Sequence, residues 1–341
     1  MQKQDTQVSP FRVHVLHAQT YDQTDASQCA KANLGMLLPA SYRTPTDDLA
    51  PPRLRDDDYF EKELGVGRLR SLSAWLWVAG RPMPARPLHY QLLLGREIVL
   101  VEQMDLHLVW TSGRMFLKPI PRYLLEPCFW TIYLACPCDP PCTQSPARPC
   151  AKQRLRRSAL GFLFSYAALL CYESDFILAR ERHLLPEQVQ WHDWRKLVEE
   201  LDTEHIYTKI DARYIYGELR LSRLNKIQYL HSSAAFRGYM SPWNRYGDFF
   251  YYNFTWLTSA TVYIAIVLTA LQVGLATEAL ARNRIFQSAS YGFTIFSIVG
   301  PLAAVGLIIC IFSYIFVSNW VATVAYRKQR LLHIHEKAKT A

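Results

Sequence analysis

Two stretches of this chain, 249–277 and 285–326, contain no Lys, Arg, Asp or Glu, and Ile, Val, Leu, Ala and Phe dominate both. Crossing a bilayer's hydrocarbon core of about 30 Å takes roughly 20 apolar helical residues. Residues 254–276 meet that requirement once and 292–317 meet it again, which predicts a C-terminal two-helix transmembrane hairpin. The expected fold class is mainly α with a small β component. A cytosolic α+β domain is expected over 56–240, after a disordered or extended segment over 1–55, whose Gln, Asp, Thr, Ser and Pro content carries no sustained period. A membrane region over 241–326 and a basic cytosolic tail over 327–341 complete the division.

Basic residues near membrane ends favour the cytosolic side. Arg237 and Arg245 precede the first span, and Arg327, Lys328, Arg330, Lys337 and Lys339 follow the second. The connection 277–291 carries only Arg282 and Arg284, partly offset by Glu278. The expected localisation is therefore multi-pass in a membrane with both termini cytosolic. The start MQKQDTQVSPFRV has no apolar run behind a basic patch, so no cleaved secretory signal is expected. The sequon Asn253-Phe254-Thr255 would fall on the cytosolic side and stay unmodified.

The formal charge is +9. A basic tail beside an anionic leaflet accounts for it more simply than nucleic acid does, since no aromatic-basic recognition motif is present. The expected partners are the lipid bilayer and a protein partner or a second copy of the chain, with no nucleic acid.

Within 56–240, Leu64, Val66, Leu69, Leu72, Ala74 and Leu76 suggest one helix, ended before Gly80-Arg81-Pro82-Met83-Pro84. Residues 91–101 suggest short strands, and 104–119 strand or loop. Prolines between Cys136 and Cys150 exclude helix and central strand there. The apolar run 159–172 is too short for a third span and predicts a buried core helix. A helix is expected to start at Pro186, and another to run over 212–231, its Arg220, Arg223 and Lys226 interleaved with leucines and paired with Glu218 or laid over apolar surface. A further helix from Pro242 through the first span would run about 52 Å. Its aromatic residues from Trp243 to Trp256 would lie at the membrane interface.

On a helical wheel Thr258, Thr261, Ala265, Thr269 and Gln272 share a small or polar face of the first span, and Ser297, Gly300 and Ala304 share one of the second. In lipid such a stripe calls for another helix or water. Antiparallel packing would pair the two faces, with Pro301 removing one backbone donor and bending the second helix. The alternative is a hydrated path or oligomeric pore along the threonines and Gln272. No ionisable side chain lies in either span, which argues against a proton relay.

Cys136, Cys138, Cys142 and Cys150 are the weak metal candidates. Thiolates at short spacing can converge on Zn or Cu(I), but the spacing is not that of a zinc ribbon, so a proline-rich insertion with incidental thiols is expected ahead of metal binding or a lipid-attached cysteine. Glu102, Asp105 and His107 contain the atoms for a metal or acid-base site, yet strand alternation would divide them, so structural hydrogen bonding is expected. His333 and His335 are expected to be solvated. No phosphate-binding loop, nucleophile elbow, zincin or dinucleotide fingerprint is present, so neither a cofactor nor enzyme activity is expected.

The blocks WLWVAGRPMPARPLHYQ, EQMDLHLVW, FLKPIPRYLL, ALGFLFSYAALL, HLLPEQVQWHDW, RYIYGELRLSRLNKI and VYIAIVLTALQVGLAT resemble an uncharacterised family of filamentous-fungal membrane proteins known only as a domain of unknown function, over about 57–326. The resemblance brings no activity or catalytic residue, and it implies variable sequence over 136–150. A second resemblance is to CorA-type divalent-cation channels, which also place two spans and a basic tail at the C-terminus. Those channels end the first span in Gly-Met-Asn, where this chain has Gly274-Leu275-Ala276. A membrane-anchored interaction or scaffold protein is the expected function, with an oligomeric channel or transporter subunit as the alternative.

Overall fold

The computed structural model describes residues 9–16, 34–54, 56–136, 150–231 and 246–340. The chain divides into two compact units between Met240 and Ser241. The described residues are mainly helical with a small sheet component.

Parts of the segment expected to be disordered or extended belong to the first unit. Phe11 is buried and meets Trp130 edge to face at 6.2 Å, and the Glu200 carboxylate accepts from the Arg12 and Val13 amides. Strands β1 (Tyr42–Arg43) and β2 (Leu49–Ala50) pair antiparallel. The helix expected from residue 56 to 79 is broken into pieces. Helix α1 (Asp57–Leu64) starts where Asp56 accepts from the Tyr59 amide at 3.2 Å, and it stops at Gly65, whose backbone turns extended. Helices α2 (Gly67–Ser71) and α3 (Leu76–Ala79) follow, joined by a 3-10 turn at Ser73–Trp75. The apolar spacing is helical, but the backbone leaves the helix at Gly65 and tightens into a 3-10 turn at Ser73–Trp75.

Residues 91–101 are part helix and part strand. Helix α4 (Leu88–Leu93) ends near Gly95 at φ +67, and only Glu97–Leu100 forms a strand, β3. After a 3-10 turn at Met104–Leu106, β4 (Val109–Thr111) and β5 (Arg114–Leu117) form a hairpin with Gly113 at φ +71. Helix α5 (Pro127–Ile132) places proline at its first turn, where no amide is needed.

Helix α6 (Ala151–Leu169) is the core helix expected from the apolar run. Leu155, Ala159, Phe162, Leu163, Tyr166 and Leu169 are buried along it, each such side chain contributing on the order of 1.5–3 kcal/mol when large. Gly161 is required there, because a Cβ would lie 2.2 Å from the Tyr214 ring. The chain then bends by 114° into α7 (Glu173–Glu181). Buried Asp175 holds that corner, accepting from the Tyr172 amide at 3.2 Å and the His89 amide at 2.7 Å. Helix α8 (Trp191–Glu200) begins five residues after Pro186, since residues 187–190 form turn and extended backbone. The helix expected over 212–231 is likewise divided, into a 3-10 turn at Ala212–Ile215, strand β6 (Leu219–Arg220) and helix α9 (Leu221–His231). The sheet order is β3-β5-β4-β6, with β3 parallel to β5 and β4 parallel to β6.

In the second unit, α10 (Tyr246–Leu275) is joined by short α11 (Glu278–Ala281) to α12 (Arg284–Thr340). Residues 242–245 of the expected longer helix lie outside the described residues. Two helices are long and apolar enough to cross a membrane, with Phe254–Leu275 the apolar part of the first. The second helix continues through Pro301 and through the expected basic tail to Thr340, because residues 327–340 contain no Gly or Pro to stop it.

Candidate functional site

The hairpin packs on a different face of α10 from the one the wheel selects. Leu257, Ala260, Ile264, Val267, Leu271 and Gly274 form the half-buried line of that helix, while Thr258, Thr261, Ala265, Thr269 and Gln272 are exposed. A Cβ on Gly274 would lie 2.6 Å from the Phe286 ring of α12. The threonine hydroxyls of the stripe are satisfied within their own helix. Thr258, Thr261 and Thr269 donate their hydroxyls to the carbonyls of Phe254, Leu257 and Ala265, four residues back, at 2.8–2.9 Å. On α12, Ser297, Gly300, Pro301 and Ala304 are half-buried, and Ser297 donates to the Thr294 carbonyl at 2.6 Å.

Cys136 and Cys150 are brought together, with Sγ atoms 3.5 Å apart. Cys150 also caps α6, accepting from the Gln153 amide at 3.4 Å. Cys138 and Cys142 lie outside the described residues, and among the described residues no group of His, Cys, Asp and Glu has metal-site geometry.

Glu102, Asp105 and His107 diverge, but not by strand alternation, because residues 104–106 form a 3-10 turn. Glu102 turns to fully buried Lys118, which also pairs with Glu63 at 2.5 Å. Burial raises the Asp105 pKa to about 6, against the opposing pull of Arg68, Arg213 and Arg70. His107 Nδ1 accepts from the Lys118 amide at 3.2 Å, which leaves the proton on Nε2, facing Ser165 Oγ at 2.8 Å. Ser165 in turn donates to the Phe162 carbonyl at 2.6 Å. That tautomer cannot take a proton from the serine. Burial, reinforced by Arg213 and Lys118, keeps the His107 ring neutral, so this Ser-His pair is a structural hydrogen-bond chain.

An open cleft of the first unit lies elsewhere, with a volume of about 330 Å³, near the small end for ligand sites. Its floor is made by two close backbone approaches. Gly80 pairs with Leu219 in an isolated antiparallel bridge, where a Cβ would meet the Glu218 carbonyl oxygen at 2.5 Å. Gly217 donates to the Met83 carbonyl at 2.8 Å, and a Cβ there would lie 2.5 Å from the Ala85 amide nitrogen. The residues 80–86 and 217–223 are thereby clamped together, and the cleft between them is lined by Arg81, Arg86, Arg220, Arg223, Trp110 and Glu218, among others.

Glu218 does not pair with the arginines of its own helix region. Its oxygens accept from Arg86 at 2.8 and 2.5 Å, Arg96 at 2.7 Å and Gln91 at 2.8 Å. Burial works to raise the Glu218 pKa, but the bonds from Arg86, Arg96 and Gln91 outweigh it and hold the carboxyl at about 2. Two guanidinium groups lie over the Trp110 ring, Arg96 at 4.2 Å and Arg220 at 5.2 Å from its centroid. Arg223 donates to the Val78 carbonyl at 3.0 Å. Among the described residues neither Arg81 nor Arg220 has a carboxylate partner.

The model of a family of unknown function, DUF6601, matches residues 56–301. The chain belongs to that family. The DUF6601 match takes in both clamped segments of the cleft, all of α10, and α12 as far as Pro301, stopping short of the 326 expected from the sequence. No curated protein and no solved structure matches the chain.

Proposed function

We propose that this DUF6601 protein is a membrane-anchored interaction protein, whose hairpin holds it in a bilayer and whose first unit presents a binding surface to the cytosol. The observation that carries this reading is the contrast between the two units. The first encloses an apolar core around Trp130, Phe162 and Trp194. The second exposes apolar side chains along its length, among them Ile266 at 63% and Leu302 at 68%. In water those helices would be an aggregation surface; in lipid they are solvated.

The basic residues that flank the apolar stretches support cytosolic termini and a far-side connection. The test is resistance of the full chain to carbonate extraction, together with protease accessibility of tags. Termini cut and a tag within 277–291 protected, in cells with only the plasma membrane permeabilised, is the expected result. Release by carbonate would refute the anchor, and the reverse tag pattern would refute the orientation.

One observation favours a second reading, an oligomeric channel subunit: the polar stripe of α10 is left uncovered by α12. Thr258, Thr261, Thr269 and Gln272 would line a pore if copies assembled around them. The threonine bonds to their own helix and the absence of Lys, Arg, His, Asp and Glu from 254–276 and 292–317 weigh against it. Single cysteines separate the readings, in a background without native cysteines. Labelling by membrane-impermeant thiol reagents at those four positions, with silence at Val262 and Ile266, would establish the channel; silence at all six would support the anchor.

A further inference from the structure

We propose that the cleft between residues 79–86 and 217–223 binds a phosphate monoester through Arg81, Arg220 and Arg223. Four arginines and a single carboxylate, Glu218, line it. That carboxylate is already saturated by four side-chain donors, two from Arg86 and one each from Arg96 and Gln91, and it lies only 9% exposed, so it neutralises the cleft's inner wall and leaves the outer arginines uncompensated. Like charges gathered at one mouth repel unless an anion joins them. Here the gathering is imposed by the fold. The Gly80 to Leu219 bridge sets Arg81 beside the strand that carries Arg220, and α9 adds Arg223 one turn later.

The chemistry of the guanidinium selects the ligand class. A planar fork pairs two of its donors with two oxygens of one anion. A carboxylate offers two oxygens and one charge, which one arginine satisfies. A phosphate monoester offers three terminal oxygens and a charge of about −1.5 to −2, which suits several arginines lining one cleft. Trp110 adds an aromatic wall that already holds Arg220 by its face, fixing one of the forks before a ligand arrives.

Two sources supply this group: a soluble phosphorylated metabolite, or the headgroup of a phosphomonoester lipid. The helix that ends at Gly80 and the turn before it expose Trp77 and Trp75, side chains suited to a bilayer interface. The inference rests on the cleft alone and not on the membrane reading.

The experiment uses the full chain in phosphatidylcholine nanodiscs, with residue-resolved arginine modification by phenylglyoxal read by mass spectrometry. In one arm glycerol 3-phosphate is added in solution; in the other the disc contains phosphatidic acid. Acetate at equal ionic strength is the carboxylate control, and exposed Arg195, on α8, is the internal reference. Modification of Arg81 and Arg220 should slow about tenfold at ten times the dissociation constant of the probe, with Arg195 unchanged. Protection in the soluble arm assigns a metabolite, and protection only by phosphatidic acid assigns a lipid. In R220Q, a change at an exposed side chain that leaves the fold intact, protection of Arg81 should need about tenfold more probe. No protection by either phosphate probe, equal protection by acetate, or unchanged protection of Arg81 in R220Q would each overturn the proposal. The soluble arm runs equally in detergent, so failure of the hairpin to enter a disc is a separate result.

Discussion

Replacing Glu218 with Gln tests how the cleft is held together. In the folded chain the carboxyl is held at about 2, against an ordinary value of 4.5. At 1.36 kcal/mol for each pH unit, that difference corresponds to about 3 kcal/mol of stability at neutral pH. The figure agrees with the roughly 3–5 kcal/mol lost when a buried ion pair is broken from one side, as expected for a site where Arg96 is only 8% exposed. The sign follows from the direction of the depression. The contribution is fully present above about pH 4.5 and is lost as pH falls through about 2, so at pH 3 about 1.4 kcal/mol of it remains. Glu218→Gln should therefore lower the urea midpoint strongly at pH 7 and by less than half as much at pH 3. The assay is tryptophan fluorescence of the full chain in detergent micelles, with wild type and variant compared at each pH so that other carboxylates cancel. A variant as stable as wild type at pH 7, or one with equal losses at both pH values, would refute the ion-pair account.

Asp105 should give the opposite dependence. Its folded value, raised to about 6 from 3.8 by burial, means that its stabilising contribution is greatest below about pH 4 and disappears as pH rises through 6; Asp105→Asn should gain about 3 kcal/mol over wild type at pH 7 and lose most of that advantage at pH 4, and a pH-independent difference in urea midpoint would contradict it. Cys136 and Cys150, with sulfurs 3.5 Å apart, should be cross-linked by diamide, seen as a two-hydrogen mass loss in the joined peptides and abolished by Cys150→Ser; full alkylation of both thiols after diamide would count against the geometry. In the hairpin, Gly274→Leu drives bulk into Phe286 and should cost about 1–3 kcal/mol, whereas Thr261→Leu and Thr269→Leu should be nearly neutral. Detergent melting temperatures decide this, and equal losses for all three would restore the polar stripe as the packing face.

What the sequence revealed and what it concealed divide along one physical line. The apolar helices are legible because length and charge exclusion are properties of a continuous run, and α6 is legible because an apolar run of insufficient length has to be buried. The stripe on α10 was misassigned by a rule that treats every hydroxyl in an apolar helix as needing an outside partner. Threonine supplies its own answer by reaching the carbonyl four residues back, so the polar face carries no information about which side meets α12. The cleft escaped for a different reason: its residues come from 79–86, 110 and 217–223, and no local pattern joins them. Glu218 illustrates the difficulty, since the arginines nearest in sequence, Arg220 and Arg223, are not its partners, whereas Arg86 and Arg96 are. The available signal was the pair of glycines, Gly80 and Gly217, each followed within four residues by arginine. Glycine permits two backbones to approach more closely than any side chain allows, and it is this approach, not helical periodicity, that gathers the arginines. Because the convergence of charge is set by backbone contact, Gly80→Ala should spread the cleft without removing any arginine, weakening phosphate protection at Arg81 and Arg220 together; preserved protection in that variant would mean the arginines find the anion individually, and the clamp would have no part in binding.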